Sequence, residues 1–286
     1  MSATEDTKRL PLAAAPRALP RRPLIAQIKQ LPIVQRLLEQ RRLAFFQSPE
    51  GFTSHYGVFR SFDEAREFLP PTREYDLEVL GREYVDERMH RVYAYDYPVM
   101  LWLQQAFDDG ATSVIDIGGS IGVAYYGYAK YMKYPDALDW QVYEVPAICT
   151  LGRRIATAQG ANPLGFVEAL DPAGMDADVW MSAGAIHCIE DGQAHTLLAR
   201  SKRKPKHIIL NKLPLYAGED FVSTQNIGEG SFSPHFVYNR ERYIRNIEAE
   251  GYRLIDAWDV PERSLHVPGH PERSFRKYSG LYFRAV

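Results

Sequence analysis

The stretch of residues 113–126, SVIDIGGSIGVAYY, predicts the architecture around it. Its first half is an apolar, β-branched run of the kind that forms a buried strand. Its second half passes through a glycine-rich turn into an apolar pattern with helical spacing. A strand, a tight turn and a helix N-terminus in this order bring unpaired backbone N–H groups close to a bound ligand.

The residues of this turn favour one class of ligand over another. A dinucleotide fingerprint G-x-G-x-x-G starting at Gly118 would need glycine where the chain has Ser120 and Val123. The carboxylate of Asp116, at the end of the predicted strand, would repel a pyrophosphate but would pair with an ammonium group. A ligand with an amino-acid end and a ribose, such as S-adenosylmethionine, therefore fits better than NAD. A purely structural strand-to-helix turn is the alternative.

Composition narrows the class of protein. A chain of 286 residues with 45% hydrophobic content is long enough for one large domain or two small ones. Its 34 basic and 36 acidic residues leave no global charge to recruit nucleic acid or a membrane surface. The two cysteines form no C-x-x-C pair, which argues against a disulfide framework and a zinc site. No apolar run approaches the roughly 18 residues of a membrane span. These features predict a cytoplasmic protein without a transmembrane segment.

The pattern along the chain predicts three parts. Residues 1–23 are rich in Pro, Ala and Arg and are predicted to form a disordered tail, residues 24–108 a helical lid or substrate segment, and residues 109–286 a nucleotide-binding domain. Further strands are predicted at 140–144, 164–167, 177–183, 207–211, 252–258 and 278–284, and helices at 61–69, 79–91, 97–107, 194–200 and 238–250, with one more starting at Pro146. Alternating strands and helices predict an α/β fold with a mainly parallel sheet.

Several motifs together resemble a known family. They are Tyr97-Pro98 with Trp102, the D-I-G-G-S-I-G turn with Tyr125-Tyr126, Glu144-Val145-Pro146, N-K-L-P-L at 211–215, T-Q-N-I-G at 224–228 and Y-S-G at 278–280. Over residues 50–286 the chain is similar to a largely uncharacterised family of class I S-adenosylmethionine-dependent methyltransferases, often found near bacterial surface-polysaccharide or secondary-metabolite genes. The turn is similar to motif I of these enzymes, D/E-x-G-x-G-x-x-G, with Ser120 in place of the second glycine.

The resemblance implies a fold and a cofactor site. The fold is a Rossmann-like class I methyltransferase with a seven-stranded, mainly parallel sheet and an antiparallel last strand, and the cofactor is S-adenosyl-L-methionine. Asp116 is expected near the amino group, and Glu144, 28 residues further on at the end of the second strand, on the ribose. The predicted cofactor-binding residues are Asp116, Gly118, Gly119, Ser120, Gly122, Glu144, Val145, Leu170, Ser182 and Ala183.

Two histidines are candidate bases for removing a proton from a hydroxyl acceptor. His187 follows the fourth predicted strand, and His235 lies in the long connection 213–237, for which no regular structure is predicted. Their alternative roles are hydrogen bonding to backbone and orienting the substrate. The family tends to carry Gln-Tyr at His187-Cys188 and Tyr-Arg near His235-Phe236. The predicted substrate-binding residues are Tyr97, Tyr125, Tyr126, Asn211, Gln225 and Asn226.

No metal site is predicted, because Pro268 and Gly269 prevent a helix that would align His266 with His270. The leading hypothesis is methyl transfer to an oxygen of a polar small molecule or saccharide, with a homodimer left open. An inactive methyltransferase-like binding or assembly protein of a biosynthetic complex is the alternative. A nicotinamide oxidoreductase is a weaker one.

Overall fold

The computed structural model of the protein describes residues 31–79, 85 and 87–286. The chain divides into two compact units, Met1–Arg41 and Arg42–Val286, and both sheets lie in the second. The domain boundary predicted between residues 108 and 109 therefore falls inside one unit. Within the described ranges, no helix combines the length and the apolar character that a membrane crossing needs.

Two predictions fall wholly or partly outside the described residues. The predicted tail, 1–23, is one of them. The other is the helix predicted over 79–91, of which residues 80–84 and 86 are not described. Its described end is a short 3-10 helix, Arg88–His90.

Strands and helices alternate along the described chain. The helices described in full are α1 (Pro32–Gln47), α2 (Phe62–Phe68), α3 (Tyr97–Asp108), α4 (Val123–Tyr128), α5 (Pro146–Gln159), α6 (Ala194–Arg200) and α7 (Arg240–Ala249). The strands are β1 (His55–Phe59), β2 (Ser113–Ile117), β3 (Asp139–Tyr143), β4 (Leu164–Val167), β5 (Val179–Ala183), β6 (His207–Leu213), β7 (Leu215–Tyr216), β8 (Phe221–Gly228), β9 (Ser231–Asn239), β10 (Tyr252–Val260) and β11 (Tyr278–Ala285).

Seven of these strands form the main sheet, in the order β10-β11-β6-β5-β2-β3-β4. Strand β11 is antiparallel to both of its neighbours, β10 and β6, and the other four pairs of neighbouring strands are parallel. The central strands β2 and β5 are almost wholly buried, as expected for parallel strands covered on both faces. This order, with its antiparallel last strand, confirms the predicted Rossmann-like class I methyltransferase fold.

Two layers of helices cover the main sheet. Helices α3, α4 and α5 pack on one face around Val114, Trp140 and Met181. Helices α6 and α7 pack on the other face around Ile115 and Trp180. The parallel strands consequently all end at the same open edge, which is where sheets of this type bind ligands.

A second, small sheet of order β1-β8-β9-β7 was not predicted. It shows that the connection 213–237 is not an irregular loop and that the predicted helical segment 24–108 contains a strand. Strand β8 is buried on both faces, so its sequence lacks the alternation of apolar and polar residues that marks a half-buried strand. Its polar side chains bond to backbone instead: Ser223 Oγ donates to the carbonyl of Gly57 and Thr224 Oγ1 to that of Tyr56.

A turn signal for this hairpin was present in the sequence. Gly228, Glu229 and Gly230 join β8 to β9, and all three have left-handed backbones, with φ of 90°, 52° and 70°. Two glycines within three residues between strands favour a tight hairpin turn. Because β8 lacks an alternation of apolar and polar residues, the strand that enters this turn could not be predicted.

Asn226 should stabilise the small sheet rather than bind a substrate. Its Nδ2 donates to the carbonyls of Phe46 (2.7 Å) and Ser48 (3.0 Å), and its Oδ1 accepts from the N–H of Gly228 (2.9 Å). Because these bonds are buried, we expect Asn226→Ala to lower the free energy of unfolding by about 2 to 4 kcal/mol, measured by chemical denaturation. The side chain of the neighbouring Gln225 makes no hydrogen bond among the described residues, so Gln225→Ala should change the free energy of unfolding by less than about 0.5 kcal/mol. Equal effects would contradict this assignment.

Candidate active site

A cavity of about 990 Å³ opens at the carboxyl edge of the main sheet. Its wall includes residues at the ends of β2, β3, β5 and β6, residues of the small sheet and residues of the connection between β10 and β11. Among the residues that line it are Thr53, His55, Arg66, Glu74, Tyr93, Asp96, Asp116, Gly118, Gly119, Ser120, Glu144, Val145, Ala183, His187, Lys212, Gln225, Glu262, Arg263 and Tyr278.

The glycine-rich turn wraps around the carboxyl group of Asp116. A Cβ atom on Gly119 would lie 2.3 Å from Asp116 Oδ2, so only glycine fits this position. Ser120 has a left-handed backbone with φ of 55°, the conformation that the second glycine of motif I would adopt without strain. A serine there costs about 1 to 2 kcal/mol of backbone strain.

Asp116 is a buried carboxyl group without a hydrogen-bond partner. The residue is 1% exposed, and neither of its oxygens makes a hydrogen bond among the described residues. Burial, aided by the nearby charge of Glu144, raises the pKa of Asp116 to about 7. The Trp140 indole lies close enough to lower this pKa, but its N–H is not placed for a hydrogen bond. The group is therefore an acceptor in the cavity wall that the protein leaves unsatisfied.

Glu144 lies at the end of β3, beside the turn. Its Oε1 accepts a hydrogen bond from the N–H of Ser120, and its Oε2 accepts one from the N–H of Val145, both at 3.0 Å. Burial raises the pKa of this carboxyl to about 6, against the effect of the two hydrogen bonds. The carboxylate can still accept from a ligand, because each oxygen has a second lone pair.

The two candidate bases differ in position. His187, in the 3-10 helix Ile186–Cys188 after β5, lines the cavity, whereas His235 on β9 is 1% exposed and does not. A third imidazole, His55 on β1, was missed by the sequence analysis. The ring of His235 lies between the other two, 4.9 Å from that of His55 and 6.0 Å from that of His187, measured between centroids.

Burial changes the proton affinity of all three imidazoles. It lowers the pKa of His55 to about 4 and that of His187 to about 3, with further lowering by Arg263 and other nearby cations. The pKa of His235 is also well below its usual value because of burial. These rings are therefore neutral at physiological pH, and the unperturbed pKa near 6.5 that the base hypothesis assumed does not apply.

Neither these imidazoles nor any other group of described side chains forms a cluster that could hold a metal ion.

Most predicted cofactor residues reach the cavity, and three do not. Gly122 precedes α4, where an added Cβ would contact Leu164 instead of a ligand. Leu170 packs against the core. Ser182 is buried, donating to the carbonyl of Ile117 at 2.8 Å and accepting from the N–H of Ile186 at 3.1 Å, so its hydroxyl fixes the start of the 3-10 helix that carries His187.

Of the predicted substrate residues, Gln225 alone lines the cavity. Tyr97 is 61% exposed outside it, and Tyr125 and Tyr126 pack in the core, Tyr125 against Trp140. Asn211 is buried with both polar atoms used: its Nδ2 donates to the carbonyl of Tyr95, and its Oδ1 accepts from Trp258 Nε1. Asn226 is used by the hairpin, as described above.

The sequence analysis missed Lys212, Arg263 and Tyr278 in the cavity wall. Lys212 had a signal, since it directly follows the strand predicted at 207–211 and lies within the N-K-L-P-L motif. Arg263 had none, because the 17 residues of its connection carry no regular pattern.

Strained backbone conformations are concentrated around the cavity. Four of the five non-glycine residues with left-handed backbones in the described chain line the cavity: Thr53, Glu74, Ser120 and Lys212. Such strain clusters at functional sites.

Comparison with known proteins identifies similar structures but no sequence family. No protein-family model matches the chain, and no curated protein matches it. The chain is similar to the S-adenosylhomocysteine-bound N-terminal domain of EvdMO1, with 14% identity over 68% of this chain and 83% of that chain and a TM-score of 0.45.

Two methyltransferases give comparable values. The 1,6-didemethyltoxoflavin-N1-methyltransferase of Burkholderia thailandensis, bound to its substrate and S-adenosylhomocysteine, is 14% identical over 76% of this chain and 92% of that chain, with a TM-score of 0.43. An S-adenosylmethionine-dependent methyltransferase of Clostridium acetobutylicum is 9% identical over 72% and 98%, with a TM-score of 0.47. Because these sequence identities and TM-scores are low, the fold is assigned from the strand order of the main sheet and not from these structural neighbours.

The turn makes a testable distinction between two neighbouring positions. Ser120→Gly should raise the free energy of unfolding by up to about 1 kcal/mol, because relief of the left-handed strain exceeds the added entropy of the unfolded glycine. Gly119→Ala should lower it by about 1 to 3 kcal/mol, because its Cβ would overlap the Asp116 carboxyl. Chemical denaturation measures both. Destabilisation by Ser120→Gly would refute the strain.

Proposed function

We propose that the protein is an S-adenosylmethionine-dependent methyltransferase that transfers a methyl group to an oxygen of a polar small molecule or saccharide. The observation that carries this proposal is the buried, unpaired carboxyl of Asp116 at the end of β2, under a glycine-rich turn and beside Glu144. A carboxylate there matches a ligand with a cationic amino group, and a second carboxylate matches a ribose.

The residues present fit this cofactor. Asp116 would hold its ammonium group, Glu144 would accept from the ribose hydroxyls, and the backbone at Gly118 and Gly119 would allow a close approach. When bound, the cofactor supplies a methyl group on a positively charged sulfur, already activated for displacement. An unsatisfied buried carboxyl costs stability, which its ligand would recover.

The remaining work of the protein is to orient the acceptor and to exclude water. Correct alignment of two reactants is worth effective molarities of about 10⁵ to 10⁸ M. The acceptor would lie between the cofactor residues and the small sheet, where Gln225 and His187 offer hydrogen bonds. The cavity, of about 990 Å³, is at the upper end of the usual range for ligand pockets and has room for both molecules.

His187 is the better placed of the two candidate bases. It is neutral and lines the cavity, so its imidazole can accept a proton from an acceptor hydroxyl. Its low pKa makes it a weak base, and alignment would then supply most of the acceleration. His235, behind it, would support the ring of His187 and that of His55 by packing.

Two alternatives share the same site and can be separated by binding and turnover. A nicotinamide oxidoreductase would bind NADH, and a binding or assembly protein would bind S-adenosylhomocysteine but would turn over no acceptor. Isothermal titration calorimetry with S-adenosylmethionine, S-adenosylhomocysteine and NADH tests the first. Release of S-adenosylhomocysteine during incubation with polyhydroxylated acceptors tests the second.

The affinity for S-adenosylhomocysteine should depend on pH through Asp116. The ammonium group needs the ionised carboxyl, whose pKa is about 7 in the free protein, so protonation competes with binding as the pH falls through that value. We expect the affinity to fall by up to about tenfold per pH unit below pH 7 and to level off above it. Calorimetry between about pH 5.5 and about pH 8 measures this.

Asp116→Asn should bind more weakly at neutral pH and should lose this dependence, except for a smaller component from Glu144, whose pKa is about 6. Asp191→Asn, which changes an exposed acid outside the cavity, is the matched control and should behave as the wild type. An Asp116→Asn variant with unchanged affinity across the range would argue against an ammonium partner.

A base at position 187 should affect the chemical step alone. With an acceptor found by the turnover screen, His187→Gln should lower the single-turnover rate by about 10- to 100-fold at saturating cofactor. The acid limb of the wild-type rate should lie below about pH 5, because the pKa of His187 is about 3. His235→Gln should have the smaller effect on rate. Wild-type rates in both variants would mean that catalysis here proceeds without a histidine base.

A further inference from the structure

Arg263 is a cation in the wall of the cavity. It belongs to the connection between β10 and β11 and is half-buried in the cavity wall. Among the described residues, its guanidinium makes no hydrogen bond and no ion pair. A guanidinium offers five N–H donors in a planar fork, and proteins seldom leave such a group partly buried without an acceptor.

A second unpaired cation lies near it. Lys212, near the end of β6, has a left-handed backbone with φ of 55° and lines the same cavity. Its ammonium lies 5.1 Å from the centre of the Tyr95 ring and pairs with no carboxylate in the described part of the chain. Burial lowers the pKa of Lys212 to about 8, with contributions from Arg88 and Arg263. The two cations therefore lie close enough for the charge of one to affect the pKa of the other.

Among the described residues, no carboxylate forms an ion pair with either cation. Asp96 and Asp116 attract Lys212 from a distance, and the carboxylate of Asp96 accepts its hydrogen bonds from the N–H of Tyr93 and the hydroxyl of Tyr128 instead. Glu262 also lines the cavity but is an exposed residue. By contrast, Arg66, which also lines the cavity, forms ion pairs with two glutamates. The distances from its guanidinium nitrogens to the carboxylate oxygens are 2.8 and 2.6 Å.

Backbone and ring contacts place both cations beside the segment that carries His187. The carbonyl of Arg263 accepts a hydrogen bond from the N–H of Tyr278 at 3.0 Å, and the Tyr278 ring lies 6.4 Å from that of His187, measured between centroids. The side chain of Lys212 lies against Gly184, three residues before His187, where an added Cβ would be 3.0 Å from Lys212 Cε. The charge of Arg263 contributes to the low pKa of His187, and that of Lys212 acts on Asp116 as well. Arg263 and Lys212 therefore lie next to the candidate base, where the acceptor is expected.

We propose that the methyl acceptor carries an anionic group, a carboxylate or a phosphate, which Arg263 binds with its guanidinium fork and Lys212 with its ammonium. Both anions match the fork with two parallel hydrogen bonds. The neutral imidazoles of His55 and His187 add hydrogen-bond donors beside this anion without repelling its partners. This inference rests on the proposed function only in naming the anion's owner as the acceptor.

The test compares anionic probes with a neutral sugar of the same ring type. Inorganic phosphate, D-glucuronate, D-glucose 6-phosphate and neutral D-glucose are titrated into the full-length protein at constant ionic strength, with and without S-adenosylhomocysteine, and binding is followed by calorimetry and by the shift in Tm. We expect the wild type to bind the anionic probes and not D-glucose. Glucuronate against glucose 6-phosphate decides which anion is preferred.

Three variants connect the binding to this site. Arg263→Gln should weaken binding of the anionic probes by about tenfold or more, because it removes a charge-assisted pair of hydrogen bonds. Arg263→Lys should keep part of it, since it retains the charge. Arg276→Gln, an exposed arginine in the same connection and outside the cavity, is the matched control and should match the wild type.

The outcomes separate this proposal from the proposed function. If the anionic probes bind no more tightly to the wild type than to Arg263→Gln, the proposal is overturned. If Arg263→Gln weakens S-adenosylhomocysteine itself by about tenfold, the cations hold the carboxylate of the cofactor, and the acceptor assignment is overturned. If S-adenosylhomocysteine fails to bind the wild type while the anions still bind at Arg263, the cofactor assignment fails and the anion site stands.

Discussion

The candidate site is built around one carboxyl group that is buried beneath a glycine. Asp116 lies one residue before the end of β2, in the middle of the main sheet, and a Cβ on Gly119 would overlap its carboxyl group. The carboxyl is held in a place where the protein supplies it with no hydrogen bond. The cost appears as a pKa of about 7 and, next to it, as the strained backbone of Ser120. A fold tolerates such costs where a ligand recovers them.

The small sheet turns this open edge into a cavity. In a doubly wound sheet the carboxyl ends of the strands are exposed, so an enclosed site needs a further element above them. Here the hairpin β8-β9 and strand β1 provide it, and the buried polar side chains of Ser223, Thr224 and Asn226 on β8 donate to backbone carbonyls. Buried polar contacts of this kind are directional, so they fix the position of the sheet as well as stabilising it.

Charge is distributed unevenly along the cavity. The acids Asp116 and Glu144 lie at the glycine-rich turn, and the cations Lys212 and Arg263 lie near His187, an imidazole that burial keeps neutral. In a partly buried space each charge keeps a strong field because solvent screens it poorly. A ligand pair with a cationic group at one end and an anionic group at the other would satisfy both ends at once.

The sequence by itself determined the features that depend on neighbouring residues. The strand, turn and helix around Asp116, the position of Glu144 after a strand and the positions of the main strands along the chain all follow from short patterns, so they could be predicted. The tertiary structure alone decided the small sheet, the neutrality of His187 and the gathering of Arg263 with Lys212. Strand β1 pairs with β8 across most of the chain, and burial depends on what packs above a residue. No local pattern records either, because both arise from contacts between distant segments.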